Sequence, residues 1–164
     1  MILIKTLLNI ILGATLLIFS ASGHAEKAPD FSLFDHSGNP VTLKSYLGKG
    51  LVIHFWGTWC PFCKELQPAL DQLYRKYKAS GLEVLGISIG EAKGINPQQV
   101  LKSQGITFKT AVEGDKVARM YDVPVTPSTF FIDREGEIVW KLHSSNIFIS
   151  DMEEKVRSIL YLDR

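Results

Sequence analysis

The stretch Leu51-Val52-Ile53-His54-Phe55-Trp56-Gly57-Thr58-Trp59-Cys60-Pro61-Phe62-Cys63 decides both how this chain folds and what chemistry it carries. Its first six residues form an apolar run of buried-strand type, interrupted only by His54. Beyond the turn, Phe62, Leu66, Leu70, Leu73 and Tyr77 recur at intervals of three and four, which places them on one face of a helix ending near Gly81. A second buried-strand run, Leu82 to Ile89, follows at once. The reading is a β-α-β unit with a C-x-x-C pair where its first strand gives way to its helix.

That position supplies the chemistry. A thiolate at a helix N-terminus faces unpaired backbone N–H groups and the positive end of the helix dipole, both of which favour the anion. Cys60 is therefore expected to be the nucleophile. Cys63 lies one turn further in, close enough to close a disulfide and oriented inward, so it is expected to resolve a mixed disulfide formed by Cys60. Three plainer readings compete. A structural disulfide would close a very small loop and add little through chain entropy. Half a metal site would need further ligands, for which only His36, His54 and His143 are at hand, at no recognisable spacing. Haem attachment needs His after the second cysteine, where this chain has Lys64.

Composition narrows the function classes. The 164 residues hold 18 Lys and Arg against 17 Asp and Glu, so no basic footprint for nucleic acid or an anionic membrane surface exists. Two cysteines are too few for a disulfide-stapled mini-protein or a four-cysteine zinc site, and they act as one pair. No metal or separate cofactor is expected beside that redox disulfide. The first 25 residues contain one charged side chain, Lys5, then an apolar run from Leu7 to Phe19 and a small-residue exit at Ser20 to Ala25. This reads as a secretory signal, with an uncleaved membrane anchor as the alternative. Either way residues 26–164 form one exported domain, in a periplasmic or other extracytoplasmic setting.

Within that domain Ala28 to Leu33 and Val41 to Leu43 are strand-like pieces around an Asp35 to Asn39 turn, a small hairpin ahead of the core. Asn96 before Pro97 suits a helix start and Gly105 its end, with a third strand near Thr107 to Ala111. A helical turn around Lys116 to Tyr121 precedes an antiparallel hairpin, Thr129 to Asp133 and Glu137 to Leu142, around Arg134-Glu135-Gly136. Ser150 with Glu153 suggests a capping box opening a last helix whose apolar face is Met152, Val156 and Ile159. The order predicts an α/β thioredoxin fold: a central mixed sheet flanked by helices, with an N-terminal hairpin extension and a βα insertion.

Three separated motifs carry a family resemblance: Ala28-Pro29-Asp30-Phe31-Ser32-Leu33, Phe55 to Lys64 around the cysteines, and Tyr121-Asp122-Val123-Pro124-Val125-Thr126-Pro127-Ser128-Thr129-Phe130-Phe131-Ile132-Asp133. The chain resembles the TlpA/ResA/DsbE group of exported, thioredoxin-fold thiol-disulfide oxidoreductases, from about Ala28 to Leu162. The resemblance implies that Pro127 is a cis proline facing the cysteines. It also implies that Thr126 and Pro127, with Trp59, receive the substrate, the backbone of Thr126 offering strand-like hydrogen bonds to the substrate's cysteine segment.

Two departures stand out. Many relatives carry Glu three residues after the second cysteine as a proton-transfer group; here Leu66 occupies that place and Glu65 precedes it. One residue turns a helical side chain by about 100 degrees, so Glu65, the other candidate relay, reads more simply as a solvated helix acid. His54 stands where thioredoxins have a buried Asp and this group usually has Asn. It is either a proton relay for Cys63 or a core histidine bonded to its surroundings.

The same dithiol reduces or oxidises according to its potential. The resemblance implies reduction of exported cysteine proteins, such as apocytochrome c or a copper-site protein, with electrons from a membrane thiol reductase. A disulfide-forming oxidant is the alternative among enzymes. A copper chaperone resembling the Sco group is the alternative outside them, although that group spaces its cysteines one residue wider. A peroxidase is set aside, because Gly57 stands where it would need Thr.

Overall fold

In a computed structural model, residues 26–161 are described; the secretory segment expected at residues 1–25 lies outside them. The strands are β1 (Glu26–Lys27), β2 (Ser32–Asp35), β3 (Pro40–Thr42), β4 (Gly50–Trp56), β5 (Leu82–Ser88), β6 (Lys109–Val112), β7 (Ser128–Ile132) and β8 (Glu137–Leu142). The helices are α1 (Pro61–Tyr77), α2 (Pro97–Ser103), α3 (Asp115–Met120) and α4 (Ile149–Leu160). One mixed sheet has the order β1-β8-β7-β4-β5-β6-β2-β3. β4, β5 and β6 run parallel, and β7 lies antiparallel against β4. This is the thioredoxin-type arrangement, with helices on both faces of the sheet.

All seven residues of β4 are buried, which is why its sequence is apolar throughout rather than alternating. Its side chains alternate between two cores. Val52 and Trp56 join Leu66, Leu70 and Leu73 of α1, Met152, Val156 and Ile159 of α4, and both cysteines. Leu51, Ile53 and Phe55 face the other way, onto Leu85, Ile87, Phe130 and Tyr121. Ring centroids of Phe55, Tyr121 and Phe130 lie 5.3–5.6 Å apart, within the range of favourable aromatic pairing.

The two additions to the core pair with each other. The hairpin β2–β3 docks on β6, the strand of the βα insertion, through Phe34 opposite Val112. Its turn is tied by the Asp35 carboxylate, which accepts from the N–H groups of Ser37 and Asn39 at 2.8 and 2.9 Å. The insertion is fastened to α1 by Asp71, only 4 % exposed. Its carboxylate accepts from the N–H and hydroxyl of Thr107 at 2.6 and 2.7 Å and pairs with Arg75 at 2.6 Å. The short β1, which closes the opposite edge on β8, has no signature in two exposed residues.

Several boundaries and one cap differ from the sequence expectation. α1 stops at Tyr77, and a 3-10 turn over Lys78–Ser80 carries the chain to Gly81, whose φ of 95° is the left-handed conformation glycine tolerates. Pro68 lies inside α1 on its exposed side, removing one helical hydrogen bond to the carbonyl four residues earlier. The third strand begins at Lys109, two residues late. Asn96 does cap α2, accepting from Gln99 N–H at 3.0 Å. The Ser150–Glu153 capping box does not form. α4 starts at Ile149, one residue before Ser150, with no side-chain cap. Glu153 instead accepts from Lys76 Nζ at 2.6 Å and the Tyr77 hydroxyl at 2.5 Å on α1. A tertiary charge-assisted pair outcompetes the local one.

Candidate active site

Strand β4 delivers the chain to the edge of the sheet at Trp56, and the turn Gly57 to Cys60 closes through a Cys60 N–H bond to Gly57 C=O of 3.0 Å. Cys60 is the N-cap of α1, and Pro61 fills the first helical position, where a missing N–H costs nothing. The two cysteines form a disulfide with Cα atoms 5.4 Å apart. Both are covered in this form, Cys60 2 % and Cys63 0 % exposed, so exposure does not separate their roles. Their cap geometry differs: the Cys63 N–H donates to Cys60 Sγ at 3.2 Å. Both cysteines belong to the same apolar core; that N–H and the helix dipole are the groups that would favour a thiolate on Cys60 once the pair is reduced.

The turn is clasped to the end of β5. Ile89 N–H donates to Trp56 C=O at 2.9 Å, and the Trp59 indole N–H donates to Ile89 C=O at 3.2 Å. The Trp59 ring lies over Gly57 so closely that a Cβ there would sit 2.4 Å from Nε1; glycine is required for this approach. The ring is nevertheless 57 % exposed, as is Phe62, which puts two aromatic surfaces beside the dithiol. Glu91 completes the clasp. Its carboxylate accepts from the Thr58 N–H at 2.8 Å and the Thr58 hydroxyl at 2.5 Å. Behind Glu91, at the ends of β5 and β6, a cavity of about 320 Å³ is lined by Ser88, Pro97, Val112 and Asp115 among others, and does not reach the cysteines.

Opposite stands the turn before β7. Phe55 pairs with Ser128, so Trp56 and Pro127 are neighbouring positions where β4 and β7 reach the sheet edge that carries the cysteines. The Thr126–Pro127 peptide is cis, in agreement with the resemblance. Pro127 is buried and Thr126 half-buried, while Val125 is exposed.

His54 lies opposite Thr129 on the neighbouring strand, on the face of β4 that carries Val52 and Trp56 toward α1. It is wholly buried. Nδ1 stands 3.1 Å from Thr129 Oγ1, and Nε2 has no hydrogen-bond partner. Burial pushes its pKa down to about 3, so the imidazole is neutral at physiological pH. Glu65 is exposed on the outer side of α1, whereas Leu66 is buried. His36 and His143 stand apart from the cysteines in sequence and element. Among the described residues no three His, Cys, Asp or Glu side chains gather as a cation site.

Residues 24–141 match the AhpC/TSA family. Over 133 residues the chain is 36 % identical to the thiol-disulfide oxidoreductase ResA of Geobacillus kaustophilus, covering 80 % of this chain and 75 % of that one. The chain belongs to the AhpC/TSA family, among its ResA-like members. The ResA of Bacillus subtilis is 38 % identical over 113 residues, 68 % of this chain and 63 % of the relative. A thiol:disulfide interchange protein of the thioredoxin family from Chlorobium tepidum superposes with a TM-score of 0.75 at 25 % identity, over 85 % of this chain and 99 % of that one. This ResA-like protein is a thiol-disulfide oxidoreductase of thioredoxin fold, and the C-x-x-C pair at the head of α1 is the site that such chemistry requires.

Sequence reading does not reach the contacts that Thr129, Glu91, Ser128 and His143 make beside the site. These contacts join separate elements, and no spacing in the chain marks them.

Proposed function

We propose that this oxidoreductase works outside the cytoplasmic membrane as a reductase of disulfides in exported cysteine-containing proteins, such as those that receive haem or copper, and that a membrane thiol reductase recharges it. The observation that carries the reading is the Cys60 sulfur at the cap of α1, held by the Cys63 N–H. The Cys60 thiolate attacks one sulfur of the substrate disulfide, that S–S bond breaks, and the departing sulfur leaves as a thiolate that takes up a proton. Cys63, losing its proton, then attacks Cys60 Sγ. The second substrate thiol is released, and the enzyme holds the Cys60–Cys63 disulfide. Two electrons have passed from the enzyme dithiol to the substrate.

Trp59, Thr126 and Pro127 form the surface that receives the substrate segment in this scheme. In the tautomer whose Nδ1–H donates to Thr129 Oγ1, His54 offers a buried Nε2 lone pair on the sheet face that packs against Cys63. With a pKa near 3, against about 8.5 for an ordinary thiol, it acts as a hydrogen-bond acceptor that polarises the Cys63 S–H rather than as a full proton acceptor. Glu65 faces solvent and takes no part. The apolar segment from Leu7 to Phe19 supports export.

The test is thiol trapping of Cys60 and Cys63 in cells with and without the membrane donor. The proposal expects reduced thiols that become oxidised when the donor is removed. A pair found oxidised in both strains identifies a disulfide-forming oxidant instead, and stoichiometric copper binding by the reduced protein would favour a chaperone.

A further inference from the structure

Ser128 follows the cis proline directly and is fully buried, and its hydroxyl has two close neighbours. Val125 C=O lies 2.7 Å from Oγ, and Nδ1 of His143 lies 2.8 Å from it. A carbonyl oxygen cannot donate, so the single hydroxyl proton belongs to the Val125 contact. The His143 contact then requires the ring to donate, and Nδ1 carries hydrogen. Proton counting thus sets a directed chain: His143 Nδ1–H to Ser128 Oγ, and Ser128 O–H to Val125 C=O.

That chain closes across the turn Val125-Thr126-Pro127. His143 is able to brace it because of register. Thr129 pairs with Leu142, so Ser128 and His143 are the next opposed positions as β7 and β8 leave the sheet. The ring is also seated edge-on against the buried Phe130, with centroids 5.9 Å apart and planes at 76°, which limits its rotation.

We propose that His143 is a positioning residue: through Ser128 it holds the Val125–Pro127 turn in the shape that receives the substrate's cysteine segment. The inference rests on the reading that this turn is the docking surface. A histidine serves here because its planar ring reaches across the strand pair with one donor fixed at Nδ1.

The test uses the full chain, reduced, against two probes: a 12-residue peptide with a Cys-x-x-Cys disulfide, and the small aromatic disulfide DTNB, which has no backbone to lie along Thr126. Single-turnover rates over a range of probe concentrations yield a half-saturating concentration for each. His143→Leu keeps bulk and loses the donor. It is expected to raise the half-saturating peptide concentration about fivefold relative to DTNB, the scale of one hydrogen bond, with the saturating rate little changed. His143→Asn, whose side-chain N–H₂ donates from a similar place, is expected to restore most of that loss. Ser128→Ala is expected to reproduce the loss, and adding His143→Leu to Ser128→Ala to change nothing more.

Equal behaviour of His143→Leu and His143→Asn, additive effects in the double variant, or equal losses for both probes would each overturn the inference. Pro127→Ala separates this failure from that of the reading beneath it. If Pro127→Ala weakens the peptide and His143→Leu does not, the bracing role alone fails; if Pro127→Ala leaves the peptide unaffected, the docking surface lies elsewhere and both fail.

Discussion

Acid should destabilise this protein through His54, and the size of the effect follows from its burial. An exposed histidine in the unfolded chain takes up a proton near pH 6.5. In the folded protein the ring is wholly buried, has one neutral partner, Thr129, and resists protonation until about pH 3. Because the folded pKa lies below the unfolded one, the unfolded state binds the extra proton between these values, and stability falls as the pH falls. The slope is about 1.36 kcal/mol per pH unit. Little is lost above pH 6.5; two units below it, at pH 4.5, about 2–3 kcal/mol is lost.

His54→Asn removes this term while leaving an amide for Thr129. The substitution destabilises the fold at both pH values by leaving space in the core, so the measured quantity is the difference of differences. Urea unfolding of the oxidised protein at pH 7.0 and 4.5 yields it, with the carboxylates and the other histidines common to both proteins. The wild type should lose about 2–3 kcal/mol more than His54→Asn over this interval. Equal losses in the two proteins would refute the reasoning, because they would mean that His54 is protonated as readily in the fold as outside it.

Two further outcomes follow from the clasps. Glu91→Ala should cost about 1–2 kcal/mol, since Thr58 loses two charge-assisted bonds at a half-buried position, and Glu91→Gln should recover part of it by accepting one of them; urea midpoints at unchanged slope check both. Asp71→Ala should cost about 2–3 kcal/mol, because the Thr107 N–H and hydroxyl lose their acceptor. Hydrogen exchange should then rise first in the Gly105–Thr107 segment, and protection there equal to the wild type's would count against the role assigned to Asp71.

Much of the fold is legible because its signals are local. The apolar run of β4, the three-and-four spacing of α1 and the Asn96-Pro97 start of α2 each follow from backbone geometry within a dozen residues. Where two local options compete, local reading fails. Ser150 and Glu153 have capping-box spacing, yet Glu153 goes to Lys76 and Tyr77, because α4 packs against α1 and a charge-assisted contact there is stronger. The edge strand β1 exists only because β8 leaves an open edge beside it.

The dithiol and its place at a strand-to-helix junction are legible in the chain alone, because both depend on neighbours along it. The tertiary structure alone decided what surrounds the dithiol. Glu91 reaches Thr58 across 33 residues, Thr129 takes one nitrogen of His54 and leaves the other without a partner, and His143 meets Ser128. Each of these partnerships depends on which strands lie side by side and in what register. Strand neighbours separated by a crossover or a hairpin are chosen by burial of the whole sheet, and no residue spacing records that choice.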